Sequence, residues 1–230
     1  MFRAVVAVAV AYALLLTPVN GAPPSAVGTV TSATSAHVGT TSASTGSTVF
    51  AGDRISTEKL GSIQVRLGAA RFLLSSASTV SLGENAAAPS ARLLGGTVVF
   101  STANAKAFVL LASKAEIRPR NDEPTVAQVT YINDKELQVR STRGSLAITV
   151  EGETQFVPEA TAYRVILDPD SYYAEHGQGP QGAGGRRQGG PPLKAGKSHF
   201  VLIAIVLTAI ATGVLFYEAW QSPSCPNNCN

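Results

Sequence analysis

The chain has 230 residues, 45% of them apolar, with 18 basic side chains against 15 acidic ones and a net charge of +3. That is material for one domain of about 100 to 150 residues with some left over. The basic residues are scattered, without the stripe or base-stacking platform that nucleic-acid binding requires, so no nucleic-acid partner is expected.

The chain opens on "MFRAVVAVAVAYALLLTPVNGAPP": Arg3, an uncharged apolar run from Ala4 to Leu16, then Pro18 and small residues. A run of this length makes about 20 Å of helix, short of a hydrocarbon core of about 30 Å. Residues 1–22 therefore read as a secretory signal peptide, with cleavage near Gly21 or Ala22. An uncleaved anchor is the alternative.

From Val27 to Asp168 the apolar residues recur at period two. Ile63, Val65 and Leu67 alternate with Gln64 and Arg66, as a strand with one buried face requires. The same pattern returns at Val80 and Leu82, in "GTVVFS" around Val98 and Phe100, in "AFVLLAS" and "VAQVTYI", and in "ELQVRS", "LAITVE", "TQFVPE" and "YRVIL". Turn signals separate these runs at Gly52-Asp53, Gly68, Gly83-Glu84, Gly95-Gly96, Asn121-Asp122, Asn133-Asp134, Gly144 and Gly152. Short strands at such spacing predict an all-β sandwich, barrel or short solenoid over residues 27–168. No amphipathic helix is evident in this body, and "GENAAAPSAR" offers at most one helical turn.

Residues 169–198 carry the passage "HGQGPQGAGGRRQGGPPLKAGKS", whose Gly and Pro content predicts a flexible linker. Residues 200–220, "FVLIAIVLTAIATGVLFYEAW", are uncharged until Glu218 and span about 31 Å as a helix, one bilayer crossing. Phe216, Tyr217 and Trp220 suit an interfacial aromatic belt. Export would leave the β domain outside the cytoplasm and the tail, residues 221–230, inside. Arg186, Arg187, Lys194 and Lys197 ahead of the crossing oppose that orientation, because the positive-inside rule would keep them in the cytoplasm. A long domain already committed to translocation overrides such a local bias, and the exported topology is the one expected.

The chemistry-bearing residues form no constellation in sequence. The two cysteines, Cys225 and Cys229, fall in the tail, so no disulfide staples the body, and a lone C-x3-C pair is a weak metal or redox signal. The histidines, His37, His176 and His199, are far apart. No nucleophile elbow, P-loop or dinucleotide fingerprint is present. Asp168 and Asp170 in "DPDSYY" read as a solvated turn rather than as calcium ligands. No catalytic residue, metal or cofactor is expected, although a carboxylate pair for glycoside cleavage is assembled in space and would not show in sequence.

One set of motifs points to a family. The stretches "VGTVTSA", "GSTVFAGDRIST", "GSIQVRL", "SASTVSLGE" and "ARLLGGTVVFST" together resemble the FecR domain, over residues 27–113 for the core motif and up to 167 for the whole domain. Gly52, Asp53, Ile55 and Thr57 fall on its Gly-Asp-x-Ile-x-Thr turn and strand, and Leu94, Gly96 and Val98 on its Leu-x-x-Gly-x-Val strand. The sequence departs from the family where its usual Asp-Gly-Ser turn is replaced by Gly68-Ala69-Ala70-Arg71. The resemblance implies an extracytoplasmic all-β fold, a twisted solenoid or sandwich, in a bacterial envelope. In the best-known members it also implies relay of envelope signals to a sigma factor. That role is not carried over, since only Met1 to Arg3 precede the first apolar run.

Asp53 beside Gly52 then reads as a turn former and not as a reactive group. The expected function is a non-enzymatic, single-pass, periplasmic β domain that binds or scaffolds an envelope protein or glycan. A sensor acting through the helix on the tail is the first alternative, and an envelope polysaccharide hydrolase the second.

Overall fold

The computed structural model describes residues 25–85, 88–176 and 198–205, and among these the chain is nearly all β. Residues 1–24, including the segment expected as a signal peptide, residues 177–197 of the expected linker, and residues 206–230 with both cysteines lie outside the described residues.

The sheet begins with a long strand, β1 (Ala26–Val38), against which the short β2 (Thr41–Ser42) and β3 (Thr48–Phe50) fold back. Next comes β4 (Arg54–Leu67), which pairs antiparallel with β1 along most of its length. Its alternation is the one the sequence shows: Ile55, Ile63, Val65 and Leu67 are buried while Gln64 and Arg66 are not. A hairpin at residues 68–69 leads to β5 (Ala70–Leu74), and an arch leads on to β6 (Thr79–Asn85). β5 pairs with the last part of β4 and β6 with its first part, so one bent strand serves two neighbours.

The fifteen-residue β7 (Ala88–Thr102) covers both of them, pairing with β6 up to Gly95 and with β5 from Val98 onward. Beyond it lie β8 (Val109–Ala112), β9 (Ala115–Pro119), β10 (Thr125–Asn133), β11 (Glu136–Arg143), β12 (Leu146–Val150), β13 (Glu153–Val157) and β14 (Ala162–Ile166). The order across this part is β13-β12-β9-β8-β7-β10-β11-β14-β15, where β15 (Val201–Ile205) arrives from the far side of the linker. Phe72 and Phe100 meet Phe108 at ring-centroid distances of 6.3 and 5.6 Å and join the two parts of one continuous core. Each such buried ring contributes about 1.5–3 kcal/mol by leaving water.

The same arch occurs twice. In the first, β4 changes partner across Thr57 to Ser62, a stretch that holds Gly61-Ser62, and β5 and β6 return along it. In the second, β11 ends at Gly144-Ser145, continues as β12, and β13 and β14 return along both. The Thr57 N–H donates to the Ser78 carbonyl at 2.9 Å, and the Ser141 N–H donates to the Thr161 carbonyl at 2.9 Å. Ala77 and Ala160, each just before the acceptor residue, both have positive φ.

Four sequence expectations change. Gly83 and Gly95-Gly96 do not end strands, since Gly83 pairs with Ser90 inside β6 and the two glycines sit within β7. The stretch around residues 83–92 belongs to β6 and β7 and not to a helical turn, residues 86–87 lying outside the described set. The start of the linker is a short helix, α1 (Pro169–His176). Asp168 caps it, accepting from the Ser171 N–H at 3.3 Å and the Ser171 hydroxyl at 2.6 Å, with Pro169 in the first helical position where its missing N–H costs nothing. Finally, the apolar run expected as a membrane helix from residue 200 begins as the extended strand β15, because Val201, Ile203 and Ile205 are β-branched and the far edge of β14 offers unpaired backbone. No helix among the described residues is long and apolar enough to cross a membrane.

Candidate functional site

The residues singled out in sequence build the joints of the first arch. Gly52 has φ +92 with open space around it, and its N–H donates to the Leu82 carbonyl at 2.9 Å. Asp53 Oδ2 accepts the Phe50 N–H at 2.8 Å and thereby closes the turn between β3 and β4 on itself. Ile55 and Val98 are buried in the core, whereas Leu94 is 40% exposed. The Thr57 hydroxyl accepts the Ser78 N–H at 2.9 Å and donates to the Ser75 carbonyl at 2.5 Å. The Ser78 hydroxyl in turn accepts the Thr97 N–H at 2.8 Å and donates to the Thr97 carbonyl at 3.1 Å. Gly96, φ +80, lies so close to Ser78 that a Cβ there would enter its side chain. These hydroxyls satisfy backbone groups that an arch otherwise leaves unpaired.

The chemically richest place is elsewhere, at the seam between β13 and β14. Residues 198–205 lie there. β15 pairs with β14 through five consecutive positions, from Val201 opposite Ile166 to Ile205 opposite Ala162. Just ahead of it, Phe200 is completely buried in the core. Gln155 on β13 donates to the Phe200 carbonyl at 3.1 Å, while Glu153 takes the Ser198 hydroxyl at 2.7 Å and the His199 N–H at 2.7 Å. His199 Nδ1 is 3.0 Å from Glu151 Oε2, and Lys114 Nζ is 3.1 Å from Glu151 Oε1. The Gln155 hydrogen bond first, then those from Ser198 and the His199 N–H, hold the Glu153 carboxyl below the ordinary glutamate value. Lys114, with a smaller share from His199, does the same for Glu151.

Sequence reasoning did not find this cluster, whose members run from Lys114 to Phe200, with 46 residues between Glu153 and its partner His199. The seam brings His199 to two carboxylates, while His37 lies on β1 and His176 ends α1. Asp168, the other carboxylate weighed from sequence, is occupied as the helix cap and lies 3.7 Å from Lys135 Nζ. No group of three or more metal-ligating side chains gathers among the described residues. The hollows among them are open ones, about 330 Å³ beside Lys59, Leu60 and Gly61, and about 270 Å³ at the end of the seam beside Thr161, Tyr163 and Ile205.

At the outer side of the same region β13 pairs with β12 alone among the described strands. It exposes Phe156, 46% accessible, with the Arg120 guanidinium stacked 4.1 Å from the ring centroid. The edge thus offers unpaired backbone groups beside an apolar ring and a cation.

Comparison with known proteins returns little. No family model matches the chain, and no curated protein matches it. Two crystal structures of a "putative anti-sigma factor" from Parabacteroides distasonis ATCC 8503, at 1.65 and 2.50 Å resolution, are similar at a TM-score of 0.42 and 13% identity, over 49% of this chain. This chain spans about half the length of those structures, 54%.

Proposed function

We propose that the chain is a non-enzymatic β domain, tethered on the outer side of a bacterial cell membrane, that binds an envelope partner through a sheet edge. The observation that carries this reading is the β13 edge, paired on one side only among the described residues and furnished with Phe156 and Arg120. A partner strand added there gains main-chain hydrogen bonds from the edge and specificity from the ring and the cation. The resemblance of the Gly52-to-Thr57 and Leu94-to-Val98 motifs to FecR domains supports the envelope setting and the solenoid form of the fold. The signal-like start and the apolar run after residue 200 support the tether.

The test is a photo-crosslinking side chain in place of Phe156 in living cells. A discrete adduct that is lost when the probe moves to Leu60 is expected. Folded protein that gives no adduct at Phe156 counts against edge binding. Sidedness is read from Cys225 and Cys229 with a membrane-impermeant thiol reagent, labelling being expected only after permeabilisation.

A sensor reading is favoured by one observation, that β15 joins the sheet directly to the apolar run. Replacing residues 221–230 separates the two readings, because it abolishes output in a sensor and leaves a scaffold unchanged.

A further inference from the structure

The far edge of β14 is covered by a strand that 34 residues of intervening chain, 167–200, separate from it. What holds that strand is largely independent of its sequence. Five positions pair through backbone, the Phe200 ring is buried in the core with Leu202 packed against it, and Glu153 and Gln155 bind main-chain groups and a hydroxyl. At the entrance Glu151 is shared between Lys114 and His199, and Glu153 accepts the Ser198 hydroxyl and the His199 N–H. Any extended, uncharged peptide with an aromatic residue preceded by a hydrogen-bond donor or a cation satisfies the same groups.

The occupant has a second claim on it. With residues 200–205 engaged at the seam, residues 206–220 remain for a membrane crossing, about 22 Å of helix against a hydrocarbon core of about 30 Å. The stretch 200–205 completes the sheet or completes a bilayer span, and does not do both at once.

We propose that the β14 edge, the Phe200 pocket and the Glu151 and Glu153 carboxylates form a strand-acceptor site for an extended apolar segment of another envelope protein. Residues 198–205 are its built-in competitor, withdrawn when they enter the bilayer. The withdrawal step rests on the tether reading above, and the acceptor site does not.

The probe is a labelled peptide Ser-His-Phe-Val-Leu-Ile-Ala-Ile with two lysines added at its end for solubility. It is titrated against the full chain in detergent, as wild type, as Phe200→Asp, and as the pair Val165→Cys with Leu202→Cys in a Cys225→Ser, Cys229→Ser background. Val165 and Leu202 face each other in the register, at a separation a disulfide spans. Phe200→Asp places a charge in the core and expels the strand, so it is expected to bind the peptide at least ~10-fold more tightly than wild type. The oxidised cysteine pair is expected to bind none until reduced, and a peptide with Phe→Ala to lose ~10-fold or more. Phe200→Ala serves in place of Phe200→Asp if the charged variant loses its β-sheet circular dichroism.

Equal binding by locked and reduced protein overturns the acceptor site, as does no binding by either folded Phe200 variant. A disulfide formed between two chains assigns the edge to a second copy and overturns the heterologous partner. In bilayer nanodiscs the cysteine pair is expected to stay unlinked and the wild-type protein to bind the peptide. Complete linkage within one chain overturns the withdrawal, and failure to enter the nanodisc overturns the tether, while the detergent titration still judges the site.

Discussion

The two arches of this molecule are built alike and sealed differently. β6 in the first is covered by β7, which follows it after two residues, whereas β14 in the second is covered by β15, which returns from beyond the linker. The backbone ladder is of the same kind in both places, but the entropy of closing the connection is not. The near strand is held by chain continuity as well as by contacts, and the far strand by contacts alone. A fold can thus use one acceptor geometry to make a permanent joint and a separable one.

The largest test of that difference sets two buried rings against each other. Phe100 on β7 and Phe200 ahead of β15 are both fully buried. Phe100→Ala is expected to cost about 3–5 kcal/mol of global stability in chemical denaturation, the usual range for a phenylalanine cavity. Phe200→Ala is expected to cost less globally, because the chain can release residues 198–205 and the loss stops at their docking free energy. Hydrogen exchange separates the cases: β14 amides lose protection in Phe200→Ala while β4 to β7 keep theirs. Equal global losses from the two variants break the comparison.

A smaller effect tests the permanent joint. Gly96 and Gly52 both have positive φ, but an added Cβ meets Ser78 at Gly96 and nothing within 4 Å at Gly52. Gly52→Ala is expected to cost about 1 kcal/mol from backbone strain alone, and Gly96→Ala about 3 kcal/mol once the Ser78 hydroxyl is displaced from Thr97. Thermal melts of the two variants measure the gap. A Gly96→Ala protein as stable as Gly52→Ala would show that the hydroxyl joint carries no weight.

Much of the sheet was legible because half-buried strands write their period into the sequence. Ile63, Val65 and Leu67 on β4, Ala127 and Val129 on β10, and Leu137 and Val139 on β11 alternate as their burial does. The repetition of the arch was not legible, since the two copies share Gly-Ser at the corner and a pattern of apolar positions, and little else. Gly95-Gly96 resembles a turn because positive φ serves turns, yet here it lets one strand change partners. The seam was hidden for a different reason. A run such as "FVLIAI" is equally apolar for a bilayer and for a protein core, and only the unpaired edge of β14, absent from the local sequence, distinguishes them. Glu151, Glu153 and Gln155 carry no motif until Ser198, His199 and Phe200 are brought to them.

Acid gives a gentler probe of the separable joint. Glu153 and Glu151 are both lowered from the ordinary value of 4.5, by Gln155 first in one case and Lys114 first in the other. A carboxyl lowered in the docked state favours docking above that value and loses its contribution as pH falls through the lower one. Glu151 is exposed and Glu153 half-buried, and Lys114 and Gln155 lie outside the docking strand, so the effect on docking is small. Hydrogen-exchange protection of the β15 amides, corrected for the intrinsic pH dependence of exchange, is expected to weaken as pH falls below the ordinary glutamate value. Glu153→Gln flattens that profile. Protection of β6 is expected to show no matching change, since neither carboxylate contacts the first arch.

The smallest expected effect falls on Asp53, which the sequence marks as a turn former. Asp53 accepts the Phe50 N–H through Oδ2, and the Asp53 N–H returns to the Phe50 carbonyl at 3.1 Å, so the side chain and the backbone close one turn together. Asp53→Ala removes one exposed acceptor and is expected to cost about 0.5–1 kcal/mol in denaturant. Asp53→Asn keeps an acceptor oxygen in the same place and is expected to lie within about 0.5 kcal/mol of wild type. A reactive or charge-dependent role would reverse that order of similarity, making Asp53→Asn as damaging to partner capture at Phe156 as Asp53→Ala. Capture unchanged in both variants, with only the small loss of stability in Asp53→Ala, leaves Asp53 as the piece that starts β4 in register and so sets the first arch.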